Sequence, residues 1–301
     1  MTTASGPYHE GERLAQDRAG ERALADRHGA IVRTAIDPRA RPFLAAQRVL
    51  VAALVDEHGA PWASLLAGPP GVASSTDGAE VRLDLGRVAR VEADPFWRLA
   101  RPGEDIGLLA IDLAHPRRLR INGRITGRAD DALGVEVREA YPNCPKYIEP
   151  REVRAASTAD AAAATSMRGE ALGDAQRALV ERSDTVFVAS RHPQRGADAS
   201  HRGGPPGFVR VLAARTLRVP DYAGNGMYNT IGNLLVEPRV GLLFLDFAGG
   251  RMLQVTGRAV VRFDAPLAEV AGVPRGAGTS RAWDVEVERW VESPLPLREL
   301  P

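Results

Sequence analysis

The stretch Ile106 to Arg124, IGLLAIDLAHPRRLRINGR, returns at Val240 to Arg258 as VGLLFLDFAGGRMLQVTGR. The offset is constant and ungapped: 240 − 106 = 134 and 257 − 123 = 134. Nine of the nineteen aligned pairs are identical, among them Gly107/Gly241, Asp112/Asp246, Arg117/Arg251 and Gly123/Gly257; ordinary residue frequencies would give roughly one or two. A second pair, ASLLAGPPG at Ala63 to Gly71 and ASHRGGPPG at Ala199 to Gly207, lies at offset 136. A difference of two between the offsets is the size of a loop deletion. The chain is therefore one β-rich module written twice, and its function should lie in what two joined copies can make.

The 301 residues suffice for two cores of ordinary domain size. Lys+Arg 39 against Asp+Glu 38 leaves a net charge of +1, so no global field draws nucleic acid or an anionic membrane. One cysteine, Cys144, excludes an internal disulfide framework and a Cys-based zinc site. The six histidines, His9, His28, His58, His115, His192 and His201, show no metal-ligand spacing along the chain, and no metal is expected. No apolar run reaches the roughly 20 residues of a membrane span. MTTASGPYHEGERL carries no basic or apolar leader, so the expected location is the cytoplasm.

Residues Gly11 to His28 have helical spacing with Gly29 as a stop, and Asp174 to Arg182 predicts a second helix. Strands are predicted at Val49 to Val55, Trp62 to Leu66, Val81 to Leu85, Ile106 to Asp112 and Leu119 to Ile125. The order repeats at Thr185 to Ser190, Val209 to Leu212, Thr216 to Val219, Gly241 to Phe247 and Leu253 to Phe263. Short strands with Gly/Pro turns and few helices indicate a mainly β chain of two small antiparallel barrels with peripheral helices. The expected division is a helical extension over 1–40, a first barrel over 41–150, a linker over 151–171 and a second barrel over 172–301.

Four segments carry candidate chemistry. In DASHRGGPPGF, the side chains of Ser200, His201 and Arg202 lie beside Gly203 and Gly204, where a ligand can approach the backbone. That suits a phosphate or a flavin edge, and equally a solvated Gly/Pro hairpin. In DYAGNGMYNTIGNL, Asn225, Asn229, Thr230 and Asn233 recur at intervals near four, as donors and acceptors on one helical face or as turn formers. In RRLRING, strand alternation puts Arg118, Arg120 and Asn122 on one face, toward solvent or an anion. The fourth, YPNCPKYI, has no counterpart in the second copy and gathers Cys144, the lone lysine Lys146, and Tyr147, as a reactive or a structural loop. The copies have diverged: Met252, Gln254 and Thr256 replace Arg118, Arg120 and Asn122, and Leu65-Leu66 replace His201-Arg202.

Taken together, the stretch from Ser183 to Gly257, with SDTVFVAS, SHRGGPPGF and PDYAGNGMYNTIGNLLVEPRVGLLFLDF, resembles the flavin-binding core of the pyridoxamine 5'-phosphate oxidase-like split-barrel flavoproteins. The first half adds YHEGE, PWASLLAGPPG, RRLRING and NCPKYI, similar to the flavin module fused in some bacteria ahead of a ferredoxin-reductase-like protein. The resemblance covers nearly the whole chain. It implies two tandem split barrels forming an intramolecular pseudo-dimer, as a monomer or a further homodimer, with FMN in the groove between them. It also implies oxidoreductase activity on a small-molecule substrate, or electron exchange with NAD(P)H or a separate reductase.

In the oxidase, an Arg/Lys pair holds the flavin phosphate; here Asn225-Gly226-Met227 stands where that pair is expected. The phosphate would then fall to Ser200, Arg202, Asn229 and Thr230, with Arg118 or Arg120 reaching across, and with His201, Gly203, Asn225 and Asn233 completing the cofactor side. Cys144, Lys146 and Tyr147 would shape the substrate side; no catalytic acid or base is singled out. The oxidase's C-terminal substrate-binding tail has no match in Trp290 to Pro301, so oxidation of pyridoxamine phosphate itself is not expected. The rival readings are a deazaflavin or haem in the same fold, and a non-catalytic flavin carrier.

Overall fold

A computed structural model describes residues 6–156, 165–265 and 280–300. The first sheet contains β1 (Val49–Val55), β2 (Pro61–Ala67), β3 (Ala73–Ser74), β4 (Glu80–Asp84), β5 (Asp105–Asp112), β6 (Arg117–Arg128) and β7 (Ala132–Asn143). Two short strands follow, β8 (Val153–Ala155) and β9 (Met167–Gly169). The second sheet contains β10 (Thr185–His192), β11 (Gly196–Gly203), β12 (Arg210–Ala213), β13 (Thr216–Pro220), β14 (Arg239–Asp246), β15 (Arg251–Arg262) and β16 (Ala282–Pro294), and β17 (Leu297–Glu299) follows β16. The spatial orders are β2-β1-β5-β6-β7-β4-β3 and β11-β10-β14-β15-β16-β13-β12. Each strand of one copy has its counterpart at the same place in the other, all neighbours antiparallel. The register slips at the same repeated glycine in both, between Asn122 and Gly123 and between Thr256 and Gly257.

Two structured faces explain why β1 reads VLVAALV rather than alternating. Leu50, Ala52 and Leu54 enter the core of the first barrel, while Val49, Val51 and Ala53 enter a separate layer between the barrels. In β10, Val186 and Val188 face the second core and Phe187 and Ala189 face that shared layer. A strand covered on both sides must be apolar at every position. Burying each large side chain there contributes roughly 1.5–3 kcal/mol. The barrels approach each other closely at two of the repeated glycines. A Cβ on Gly107 would lie 2.7 Å from the backbone nitrogen of Ala199, and one on Gly241 would lie 2.5 Å from the carbonyl oxygen of Pro61. Nothing larger than hydrogen fits where β5 crosses β11 and β14 crosses β2, which gives the identity a steric cause.

Before the first barrel come α1 (Glu10–Ala19), α2 (Arg22–Gly29) and α3 (Arg41–Ala46). The single helical run expected from Gly11 to His28 is two helices, because Gly20 turns left-handed (φ 69°) and caps the first. Next come α4 (Phe96–Leu99) between β4 and β5, α5 (Asp174–Arg182) before β10, and α6 (Asn229–Val236) between β13 and β14. Although α1 precedes the first barrel, it packs on α6 of the second; a Cβ on Gly11 would fall 2.2 Å from the Gly232 carbonyl oxygen. Within 151–171, β8 pairs with β17 and β9 with β16. Among the described residues, no helix is long and apolar enough to cross a membrane.

Candidate functional site

Strand alternation places Arg118, Arg120 and Asn122 on the face of β6 that looks across to β11. Arg120 is buried, with Nη1 3.1 Å from Asp198 Oδ1 and 3.1 Å from the Tyr141 hydroxyl, and Nη2 donating to Ser200 Oγ at 2.5 Å. Ser200 donates to Asp198 Oδ2 (3.2 Å) and accepts from Thr230 Oγ1 (2.9 Å), while Asn122 Nδ2 donates to Asp198 Oδ1 (3.3 Å). Burial alone would lower Arg120, but Asp198 and Tyr141 outweigh it and hold the guanidinium above its ordinary value. Arg120 is thus a fixed cation, held through both terminal nitrogens and joining the two copies.

Arg118 is placed differently. Its Nη1 lies 2.9 Å from His201 Nδ1, Nε donates to the Cys144 carbonyl at 2.7 Å, and Nη2 donates to the same carbonyl. Burial, then the neighbouring Arg202 and Arg120, push Arg118 down to about 9. A guanidinium keeps its proton in proteins, so Arg118 is a buried cation beside two others, and an anion would offset both its burial and that repulsion. Arg202, lowered first by burial, has its Nη2 3.6 Å from Asp221 Oδ1. His201 is driven well below 6.5 by burial and by Arg118, Arg202 and Arg151, so its ring is neutral. With Nδ1 accepting from Arg118, the proton sits on Nε2. Among the described residues, the atoms buried without a hydrogen-bond partner include Arg120 Nε, His201 Nε2, Arg202 Nε and Asn143 Nδ2.

The N-terminus of α6 closes this cluster. Its first N–H groups have no acceptor within the helix and carry the positive end of its dipole. The N-cap, Tyr228, adopts φ 62°, and Tyr147 adopts φ 66°; among the described residues these are the only non-glycine residues with positive φ. Both line the same cavity. Left-handed backbone at a bulky residue costs of the order of 1–3 kcal/mol, and such strain concentrates at functional sites. Behind the helix, buried Glu12 of α1 accepts from Asn229 Nδ2 at 2.5 Å and from the His9 backbone N–H at 2.9 Å. Desolvation pushes Glu12 up to about 8.

The cavity between the copies has a volume of about 100 Å³. Ser200, His201, Arg202, Gly203, Asn225, Asn229, Thr230, Arg118 and Arg120 all line it, as do Cys144, Lys146 and Tyr147. Ser200 to Gly203 belong to strand β11, not to a hairpin loop. Asn233 is the exception. One turn beyond Asn229, it faces α1, with Oδ1 3.0 Å from His9 Nε2 and Nδ2 donating to Ser190 Oγ at 2.9 Å. Asn225 precedes the helix and caps Met227 N–H (3.2 Å), so the three asparagines share no helical face. Sequence reasoning missed Asp221 and Arg281, whose Oδ2 and Nε are 3.0 Å apart, and the strained Tyr228. A charged pair 60 residues apart leaves no local signal.

The equivalent place in the other half is differently filled. Gln254, the counterpart of Arg120, donates to the Ala63 carbonyl (2.9 Å) and reaches Ser64 Oγ (3.4 Å), the counterpart of Ser200. Beside them, ahead of α4, lies the buried carboxyl of Asp94, which accepts from Phe96 N–H at 2.8 Å. Burial pushes Asp94 up to about 6, against the opposing pull of Ser64 and Phe96. The chain's own acid occupies this half, with leucines and Met252 in place of the cations.

One cluster was invisible in the sequence spacing. Ligand atoms of His9, Glu10 and His192 come within 4.8 Å of one another. Each imidazole is already used at both nitrogens: His9 by Gly11 N–H and Asn233, His192 by Gln194 N–H and Glu10. This is a helix cap docked on β10, with both nitrogens of each imidazole already engaged.

Residues 172–293 match the family model described as pyridoxamine 5'-phosphate oxidase. That match covers the second copy of the module, and over those residues the chain is similar to the pyridoxamine 5'-phosphate oxidase family. A search of curated proteins finds no match. Among solved structures it is similar to a protein of the pyridoxinephosphate oxidase family from Clostridium acetobutylicum, related to general stress protein 26 (14% identity, TM-score 0.28, 40% of this chain and 88% of that one). It is also similar to an FAD-binding protein from Mesorhizobium loti (11%, TM-score 0.30, 43% and 99%). A third is the haem storage protein HutZ from Vibrio cholerae (10%, TM-score 0.26, 40% and 89%).

Proposed function

We propose that this chain is a pyridoxamine 5'-phosphate oxidase-like split-barrel protein that binds FMN, with the phosphate in the cavity between β6, β11 and the N-terminus of α6. The observation that carries the reading is the crowding of Arg118 and Arg202 around buried, unpartnered donors at a helix N-terminus. Such a constellation favours a small dianion, which guanidinium forks and backbone N–H groups bind together. A volume of about 100 Å³ is far below the roughly 300 Å³ of a whole-ligand pocket. It holds a phosphate-sized group, and the rest of the molecule would lie along the open groove past Tyr147 and Tyr222.

In this reading Arg118 and Arg202 bind the phosphate, and Ser200 and Thr230 orient it. Arg120 serves as the rigid support that Asp198 holds in place, and Glu12 positions Asn229. Lys146 and Cys144 border the ring side. The flavin supplies the capacity to accept and return electrons; the protein supplies binding, orientation and electrostatics. The overall activity is oxidoreduction of a small molecule, or electron exchange with a reductase or NAD(P)H. The cytoplasm is the proposed location.

Comparing FMN with riboflavin, which lacks the phosphate, tests this directly. Calorimetric titration should show FMN binding at least about 100-fold more tightly, since two charge-assisted contacts of roughly 1.5–3 kcal/mol each are at stake. Equal affinities would refute the phosphate assignment.

A further inference from the structure

On the first-barrel side of Arg118 lies a second cavity, of about 440 Å³. That is within the range of small-molecule pockets, roughly 300–1,000 Å³. Its apolar floor is made by Ile31, Phe43 and Leu119, and its rim by Arg33, Arg39 and Arg117, all three exposed. Asp37 is the one acid among its lining residues, 3.8 Å from Arg33. Arg117 lies over the Phe43 ring at 4.8 Å, so a guanidinium is already held against the aromatic floor. Two backbone hydrogen bonds between Arg33 and Ala140 (3.2 and 2.8 Å) fix the N-terminal segment as the far wall. Arg118 and Asn143 line this cavity and the phosphate cavity alike.

An apolar floor under an arginine rim matches a ligand with an apolar body and an anionic end. The rim arginines are solvated, and a singly charged carboxylate gives up less hydration there than a dianion does. We propose that this cleft is a binding site for an organic acid with an aromatic or branched apolar body. It goes beyond the flavin reading and does not require it, because only the shared wall touches the phosphate cavity. Where both sites are filled, the two ligands lie on either side of Arg118 and Asn143.

The test uses the full chain and 2-naphthoate, with 2-naphthylmethanol as the neutral comparator of the same shape. Isothermal titration should show one saturable naphthoate site, at least tenfold tighter than the alcohol and weakened by added salt. The double variant Arg33→Ala/Arg117→Ala should lose about tenfold in naphthoate affinity and little for the alcohol. Both side chains are exposed, and circular dichroism checks that the fold is intact. Equal binding of acid and alcohol, no binding of either, or naphthoate binding unchanged in the double variant would each overturn the proposal. Naphthoate binding alongside absent FMN binding would overturn the flavin assignment alone.

Discussion

Replacing Arg118 with methionine, the residue that stands at the equivalent position of the second copy as Met252, isolates the cation most crowded by positive charge. The folded chain loses the bonds to His201 Nδ1 and to the Cys144 carbonyl, worth about 1 kcal/mol each, but is relieved of a buried charge. These opposing terms leave stability within about 2 kcal/mol of the original. The bound state loses a charge-assisted contact to the phosphate, roughly 1.5–3 kcal/mol. That converts to about a 10- to 150-fold weaker Kd. Titration followed by flavin fluorescence, at low and at moderate salt, reads both effects: the Kd should rise by that factor and its salt dependence should fall. Riboflavin affinity should stay the same. An FMN Kd within twofold of the original, in a variant of unchanged circular dichroism, would refute the role of Arg118.

The Asp94 carboxyl and the missing arginines should leave the opposite half unable to hold a second phosphate, so calorimetry should saturate at one FMN per chain; two equivalents of similar affinity would contradict this. Glu12 makes stability pH-dependent. Its folded value is raised, so the folded state holds the proton more tightly; the contribution is full below about 4.5 and is lost as pH rises through about 8. Urea midpoints should fall across that window, and Glu12→Gln should flatten the fall; an identical slope in the variant counts against it. Gly107→Val should destabilise the chain by about 3 kcal/mol or more, because its Cβ meets β11 backbone at 2.7 Å; a neutral outcome in chemical denaturation would undo the account of the repeated glycines.

Much of the fold was legible because a duplicated sequence must repeat its own strand order, and the period-two pattern located most strands. Two of the four longest strands, β7 and β16, went unread although Leu133, Val135 and Val137 alternate, as do Trp283, Val285 and Val287. They lie beyond the repeated stretch, and their pairing with β4 and β13 is set by tertiary contact. The break at Gly20 was missed because a helical pattern continues through it, and only the left-handed conformation ends the helix. For the candidate site, residue types gave the donors but not their directions. Asn225, Asn229 and Asn233 have helical spacing, yet the helix starts only at Asn229 and turns Asn233 toward α1. Asp221, Arg281 and Asp94 act through partners on distant strands, and such pairings follow from the fold alone.

The most direct test of the central claim is the identity of whatever the chain carries. Protein purified without added cofactor, denatured, and its released small molecule identified by mass should yield FMN, with the yellow absorption of an oxidised flavin before release. Release of haem, of a deazaflavin or of riboflavin in its place would contradict the phosphate-centred site built on Arg118, Arg202 and the N-terminus of α6.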